Sequence, residues 1–342
     1  MSSTPSATDK GAAIRHAMRT ATGATLCLVV GEWLSLKHTN LAVWTTYMVM
    51  AQHPYTSFQK GVERIVGRVV GVLAGLVAVT WLVEAPLLSQ AFLSLFLVFC
   101  FYLYFAGRLA YTFLNAGLYA VVLFEFGKSN PRVAPAEGFA LCMAIIVGVI
   151  AADIVNWLVG AEASIQIEFG EQPLWPIRRD WLNQCVMLAV TVLVASHIAD
   201  LLELPIVDTV ISVMFLVITP NIQSLIQKGE LRVAGAIMAL LYAFFVFLVM
   251  AFEPHFALLA LLVFLGLLVA SYVTHEGGSY SYAGLQMGLV LPMLIVSPPT
   301  DFGSLTTAFQ RLEGIAIALT LSVVIGALWP QFPMRPSAQV ST

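Results

Sequence analysis

Four cations in this chain come in two matched pairs. Lys60 and Arg64 stand in Gln59-Lys60-Gly61-Val62-Glu63-Arg64-Ile65-Val66-Gly67, and Lys228 and Arg232 hold the same places in Gln227-Lys228-Gly229-Glu230-Leu231-Arg232-Val233-Ala234-Gly235, 168 residues later. Arginine offers a planar fork suited to a carboxylate and lysine a compact charge, so two such pairs brought together would draw in an anionic solute. A second reading makes them cytoplasmic anchors, duplicated because the gene was. Small residues follow each motif at every fourth position: Gly67, Gly71 and Gly75 in one copy, Gly235, Ala239 and Ala243 in the other. Such ridges let helix backbones approach closely in lipid. Lys60 and Arg64 lie seven and three residues before Gly67, so a helix reaching back that far carries both on the ridge face. That placement favours a substrate pathway made of Lys60, Arg64, Lys228 and Arg232.

Isolated ionisable groups inside apolar runs come next, because they are costly in lipid and therefore informative. Asp153 and Asp208 are the deepest of these in the sequence and are proton-coupling candidates, with helix capping or interhelical hydrogen bonding as the alternative role. His53, beside Pro54, joins the pathway group as a side chain that titrates near neutral pH. Rings crowd 92–105, where lipid contact is the simpler expectation than a stacking surface for substrate. His275-Glu276-Gly277-Gly278-Ser279 is neither a zinc motif nor a nucleophile elbow, and no phosphate-binding loop occurs. Cys27, Cys100, Cys142 and Cys185 have no metal or redox spacing. No catalytic residue, metal or cofactor is expected, and the chain does not read as an enzyme.

The elements that must carry these residues follow from composition. Apolar residues make up 59% of 342, charged residues 10%, and the mean hydropathy is +0.89. That describes an all-α integral membrane protein in contact with the lipid bilayer. Scattered basic residues form no patch of the kind that grips nucleic acid. Apolar runs fall at 18–35, 41–53, 65–83, 87–106, 109–126 and 138–159, then 182–201, 205–219, 233–251, 255–273, 280–297 and 312–329. The pattern predicts about 12 transmembrane helices as two parallel six-helix repeats, with function at their common axis. Residues 1–160 form the first repeat, 161–181 a short cytoplasmic linker and 182–335 the second repeat. With both termini in the cytoplasm, 12 of the 16 lysines and arginines fall on the inner side. The polar stretch Met1–Gly11 shows no small-residue cleavage site, which predicts no removed leader.

Trp44-Thr45, His53-Pro54, Lys60-Gly61-x-x-Arg64-x-x-Gly67 with Gly71 and Gly75, Arg311-x-x-Gly314 and Trp329-Pro330 together resemble the fusaric acid resistance and aromatic acid exporter superfamily. The second half repeats the pattern in Pro220 and Lys228-Gly229-x-x-Arg232-x-x-Gly235, and Glu137-Gly138 and Glu313-Gly314 open the last span of each half. The resemblance implies efflux of aromatic or other weak organic acids from the bacterial cytoplasmic (inner) membrane, driven by the proton gradient. It also implies a periplasmic adaptor of the membrane-fusion type and leaves room for a homo-oligomer. Larger members carry sizeable cytoplasmic domains after each membrane half, and here the linker and tail are short. Three alternatives stand beside it. A passive organic-anion channel would use the same cations. A major-facilitator-type transporter shares the six-plus-six plan, although its glycine-arginine loop has different spacing. A non-transporting scaffold would use the cations only to set topology.

Overall fold

Long apolar stretches in lipid must satisfy their backbone groups internally, and every regular element among the described residues is a helix. The computed structural model describes residues 7–50, 54–107, 109–159, 179–204, 209–210, 212–213, 222–276, 278–296 and 305–329. These hold α1 (Ala7–Trp33), α2 (Thr39–Met50), α3 (Pro54–Trp81), α4 (Pro86–Phe105), α5 (Ala110–Lys128) and α6 (Ala134–Leu158), then α7 (Arg179–Leu201), α8 (Ile222–Phe252), α9 (Phe256–His275), α10 (Ser281–Ile295) and α11 (Leu305–Leu328). Proline opens α3 and α4, where its missing N–H costs nothing and its fixed φ suits a first turn. Among the described residues, six helices are long and apolar enough to cross a membrane: α4, α5, α6, Trp181–Leu201 of α7, Leu225–Phe252 of α8, and α9. The run expected at 205–219 lies largely outside the described residues.

The chain forms two compact units. One holds Met1–Arg68, Ala136–Glu168 and Glu230–Leu312, and the other Val69–Pro135, Phe169–Gly229 and Glu313–Thr342. Each unit therefore draws on both halves of the sequence, and α3, α6, α8 and α11 each contribute to both.

Within the first unit α1 packs on α2 and α9, and α10 packs on α9 and α2. Val49 and Met50 of α2 meet Ile145, Val149, Ala152 and Val155 of α6 in a buried apolar cluster, with Ile65 of α3 against it. In the second unit Ala78 and Val79 of α3, Leu93 of α4, Ala120 and Phe124 of α5 and Ala134 form the corresponding core. The expectation of lipid contact for the rings of α4 holds only for part of the helix. Phe99 is exposed, but Phe101 is fully buried, and Phe92 and Phe96 stack at 6.3 Å against the core.

Candidate functional site

The buried face of α3 is set by its glycines. A Cβ on Gly71 would collide with the backbone carbonyl of Ala116 in α5, and one on Gly75 would lie 2.9 Å from the carbonyl oxygen of Ala120. Val62, Val66, Val69 and Leu73 are exposed on the opposite side. α8 repeats the device. A Cβ on Gly235 would collide with the carbonyl of Ala283 in α10 and lie 2.7 Å from Cβ of Gln286. The motif glycines recur in the same way, Gly61 abutting Val149 of α6 and Gly229 abutting Leu319 of α11. Gly67, between these contacts in α3, is buried as well.

This close packing carries arginines into the interior. Arg64 is 2% exposed, with its guanidinium 5.3 Å above the Trp44 ring of α2, a cation–π contact. Arg68, one turn further along the same face, is fully buried, and its Nη1 donates to the carbonyl oxygen of Leu141 at 2.8 Å. Gly61 meets Val149 and Arg68 meets Leu141, so α3 and α6 run antiparallel and Arg64 lies level with the middle of α6. Arg232 is 4% exposed, and its Nη1 donates to Oε1 of Gln286 at 2.5 Å, a charge-assisted bond to a side chain that is itself 1% exposed. An indole face, a peptide carbonyl and a carboxamide are among the groups that orient these guanidinium groups.

The other sequence-derived residues lie on several helices. Lys60 is partly buried on α3, and Lys228 is exposed on α8. Lys60, Arg64 and Arg232 belong to the first unit and Lys228 to the second. Asp153 is half-buried on α6, whereas Glu63 and Glu125 are more enclosed. Gln59 Nε2 donates to Glu63 at 3.2 Å, and Lys128 pairs with Glu125 at 2.5 Å and with Asp200 at 2.8 Å. His53 and Asp208 lie outside the described residues.

Sequence reasoning passed over Arg68 and Gln286. Arg68 sits four residues after Arg64, which puts it on the ridge face by helical spacing alone. Gln286 lies in Leu285-Gln286-Met287-Gly288-Leu289, which repeats Leu114-Asn115-Ala116-Gly117-Leu118 of α5 at an offset of 171. Both amides are buried, and Asn115 Nδ2 donates to the Tyr111 carbonyl at 2.7 Å.

Residues 13–169 match the fusaric acid resistance protein family. The match lies within the first half of the chain. Arg64, Arg68 and Trp44 all fall inside it. The p-hydroxybenzoic acid efflux pump subunit AaeB of Shigella boydii serotype 4 is 29% identical over 156 residues, 42% of this chain and 24% of that protein. The proteins of the same name from Escherichia coli O1:K1 and O139:H28 are 28% identical over the same coverage. The chain thus spans about a quarter of the length of these curated relatives. No solved structure matches the chain.

Proposed function

We propose that the chain exports aromatic or other weak organic acids across the bacterial cytoplasmic membrane. In this reading Arg64 and Arg232, with Arg68 beside the first, attract and orient the carboxylate. The observation that carries the reading is the enclosure of three guanidinium groups, Arg64, Arg68 and Arg232, within a bundle of apolar helices. Permanent charge in such surroundings is expensive, and a chain that retains it gains where an anion must be recruited. The fusaric acid resistance match and the efflux-pump relatives support the substrate class.

The arrangement we favour has twelve spans in two parallel six-helix repeats, 1–160 and 182–335, joined by the linker 161–181, with both termini cytoplasmic. Two observations support it. The Lys-Gly-x-x-Arg motif packs through the same glycine in both halves, Gly61 on α6 and Gly229 on α11. The ion pairs Lys37–Glu137 and Lys128–Asp200 also join residues that the span count puts on one face, the outer one. Proton-gradient drive through Asp153 or Asp208, a contribution from His53, and assembly with a periplasmic membrane-fusion adaptor complete the proposal.

Efflux of p-hydroxybenzoate from vesicles containing oriented protein tests it. Wild type should export in a manner that depends on the pH gradient, and Arg64→Ala with Arg232→Ala should abolish this in protein shown to be inserted and folded. Undiminished efflux from the double variant would reduce the arginines to structural anchors. Flux that ignores the pH gradient but needs the arginines would turn the reading to a passive anion channel.

A further inference from the structure

We infer that His16, Arg19 and His275 form a carboxylate-binding site that takes up a proton as it fills. The inference deepens the exporter reading and rests on it. With the N-terminus cytoplasmic, this cluster faces the compartment from which substrate is loaded.

The three side chains come from two packed helices, α1 and α9, and all are half-buried, enclosed yet within reach of water. The His16 ring meets the His275 ring edge to face, with centroids 3.6 Å apart. Arg19 Nη2 lies 2.6 Å from His16 Nδ1. A guanidinium can only donate, so Nδ1 must present its lone pair and His16 is neutral in this arrangement. The bond is therefore a protonation-dependent latch. A proton added from water to Nδ1 removes the acceptor, frees the Arg19 fork and leaves two cations side by side. Without an anion that state is unfavourable. With a carboxylate between them, Arg19 donates to one oxygen and the new Nδ1–H of His16 to the other. Nε2 of His275, enclosed and without a hydrogen-bond partner among the described residues, lies in the same cluster as a further donor. The bound anion brings one negative charge and the proton one positive charge, so the filled site carries the same net charge as the empty one. A monocarboxylate satisfies that balance, whereas a dianion leaves a charge over.

The surrounding groups do not compete for this role. On α1, Lys10 and Arg15 are exposed cations. On α9, the Tyr272 hydroxyl donates to Glu276 at 3.2 Å. On α2, the Tyr47 hydroxyl is 3.4 Å from Thr274 Oγ1, and α10 brings Tyr282. Of the side-chain types gathered here, imidazole is the one whose ordinary pKa lies near neutral pH, and His16 Nδ1 is the atom that the Arg19 bond holds unprotonated. The coupling has a chemical logic. A weak acid that crosses a membrane in neutral form releases both its proton and its anion inside, and this site responds to the two together.

The experiment is calorimetric titration of the full chain in nanodiscs with benzoate at pH 7, run in Tris and in HEPES, whose ionisation enthalpies differ. Wild type should take up a fraction of a proton for each benzoate bound, rising toward one as pH approaches 8. His16→Gln should bind with no buffer dependence and at least about tenfold more weakly. Should His16→Gln fail to fold, Arg19→Gln, which removes the clamp, should show the same loss. Equal heats in the two buffers for wild type overturn the proposal, as do unaltered proton uptake in His16→Gln or the absence of benzoate binding by wild type. If proton uptake is absent while Arg64→Ala with Arg232→Ala still abolishes efflux, the loading site falls and the exporter reading stands.

Discussion

Replacing Gln286 with Leu should destabilise the protein by about 1–3 kcal/mol, because it removes the carboxamide that accepts from Arg232 inside an apolar bundle. Thermal unfolding in detergent measures this, and Gln286→Glu, which keeps an acceptor, should lose less. Among the cations, Arg64→Lys should retain part of the efflux that Arg64→Ala loses, since a lysine keeps the charge over Trp44 but not the fork. His38, between α1 and α2, gives a pH signature. Burial pushes its pKa below the ordinary 6.5, only partly opposed by the bond from its Nε2 to Glu137 at 3.1 Å. A depressed histidine contributes stability that is present above its unfolded pKa and lost as pH falls through the folded one. Wild type should therefore lose thermal stability on acidification below about pH 6.5 more steeply than His38→Gln. The paired cations were legible in the sequence because they repeat in register. Arg68 and Gln286 were harder to see. Arg68 has alanine, Ala236, at the matching place in the second half, and Gln286 belongs to a repeat with a different offset, 171 instead of 168.

At the scale of the helix, the ridges make a sharper test than any charge. Gly71→Ala and Gly235→Ala each drive a methyl into a backbone carbonyl that cannot rotate aside, and each should cost about 1–3 kcal/mol in thermal stability. Gly326→Ala in α11 meets nothing within 4 Å and should stabilise by roughly 0.5–1 kcal/mol through helix propensity. Equal effects at all three positions would remove the argument that close approach is what the small residues serve. Spacing alone revealed these ridges, because four-residue periodicity is a property of the helix itself. Their partners were not readable. Nothing local in Ala116 or Ala283 says that its carbonyl will meet a glycine from another helix. The rings of α4 divide between surface and core for a related reason, since hydropathy does not distinguish a phenyl group in lipid from one in a core.

For the molecule as a whole, cysteines placed at Ser129 and Ser304 should react with an impermeant reagent from the periplasmic side, and labelling of either only from the cytoplasm would undo the twelve-span arrangement. Not all helices need meet lipid. α2 has 12 residues, about 18 Å of helix against roughly 30 Å of hydrocarbon, and 11 of them are buried. α10, at 15 residues, is also short, is buried along most of its length and packs on α2, with Tyr47 lying over Gly288. A longer helix such as α8, with 31 residues and a row of exposed apolar side chains, has the length and the surface to face acyl chains. Bilayer thickness is therefore felt by one set of helices and not by the other. Reconstitution in lipids of shorter or longer tails should tilt and strain α8 while leaving the α2–α10 contact, and the arginine-bearing interior next to it, insulated from the mismatch.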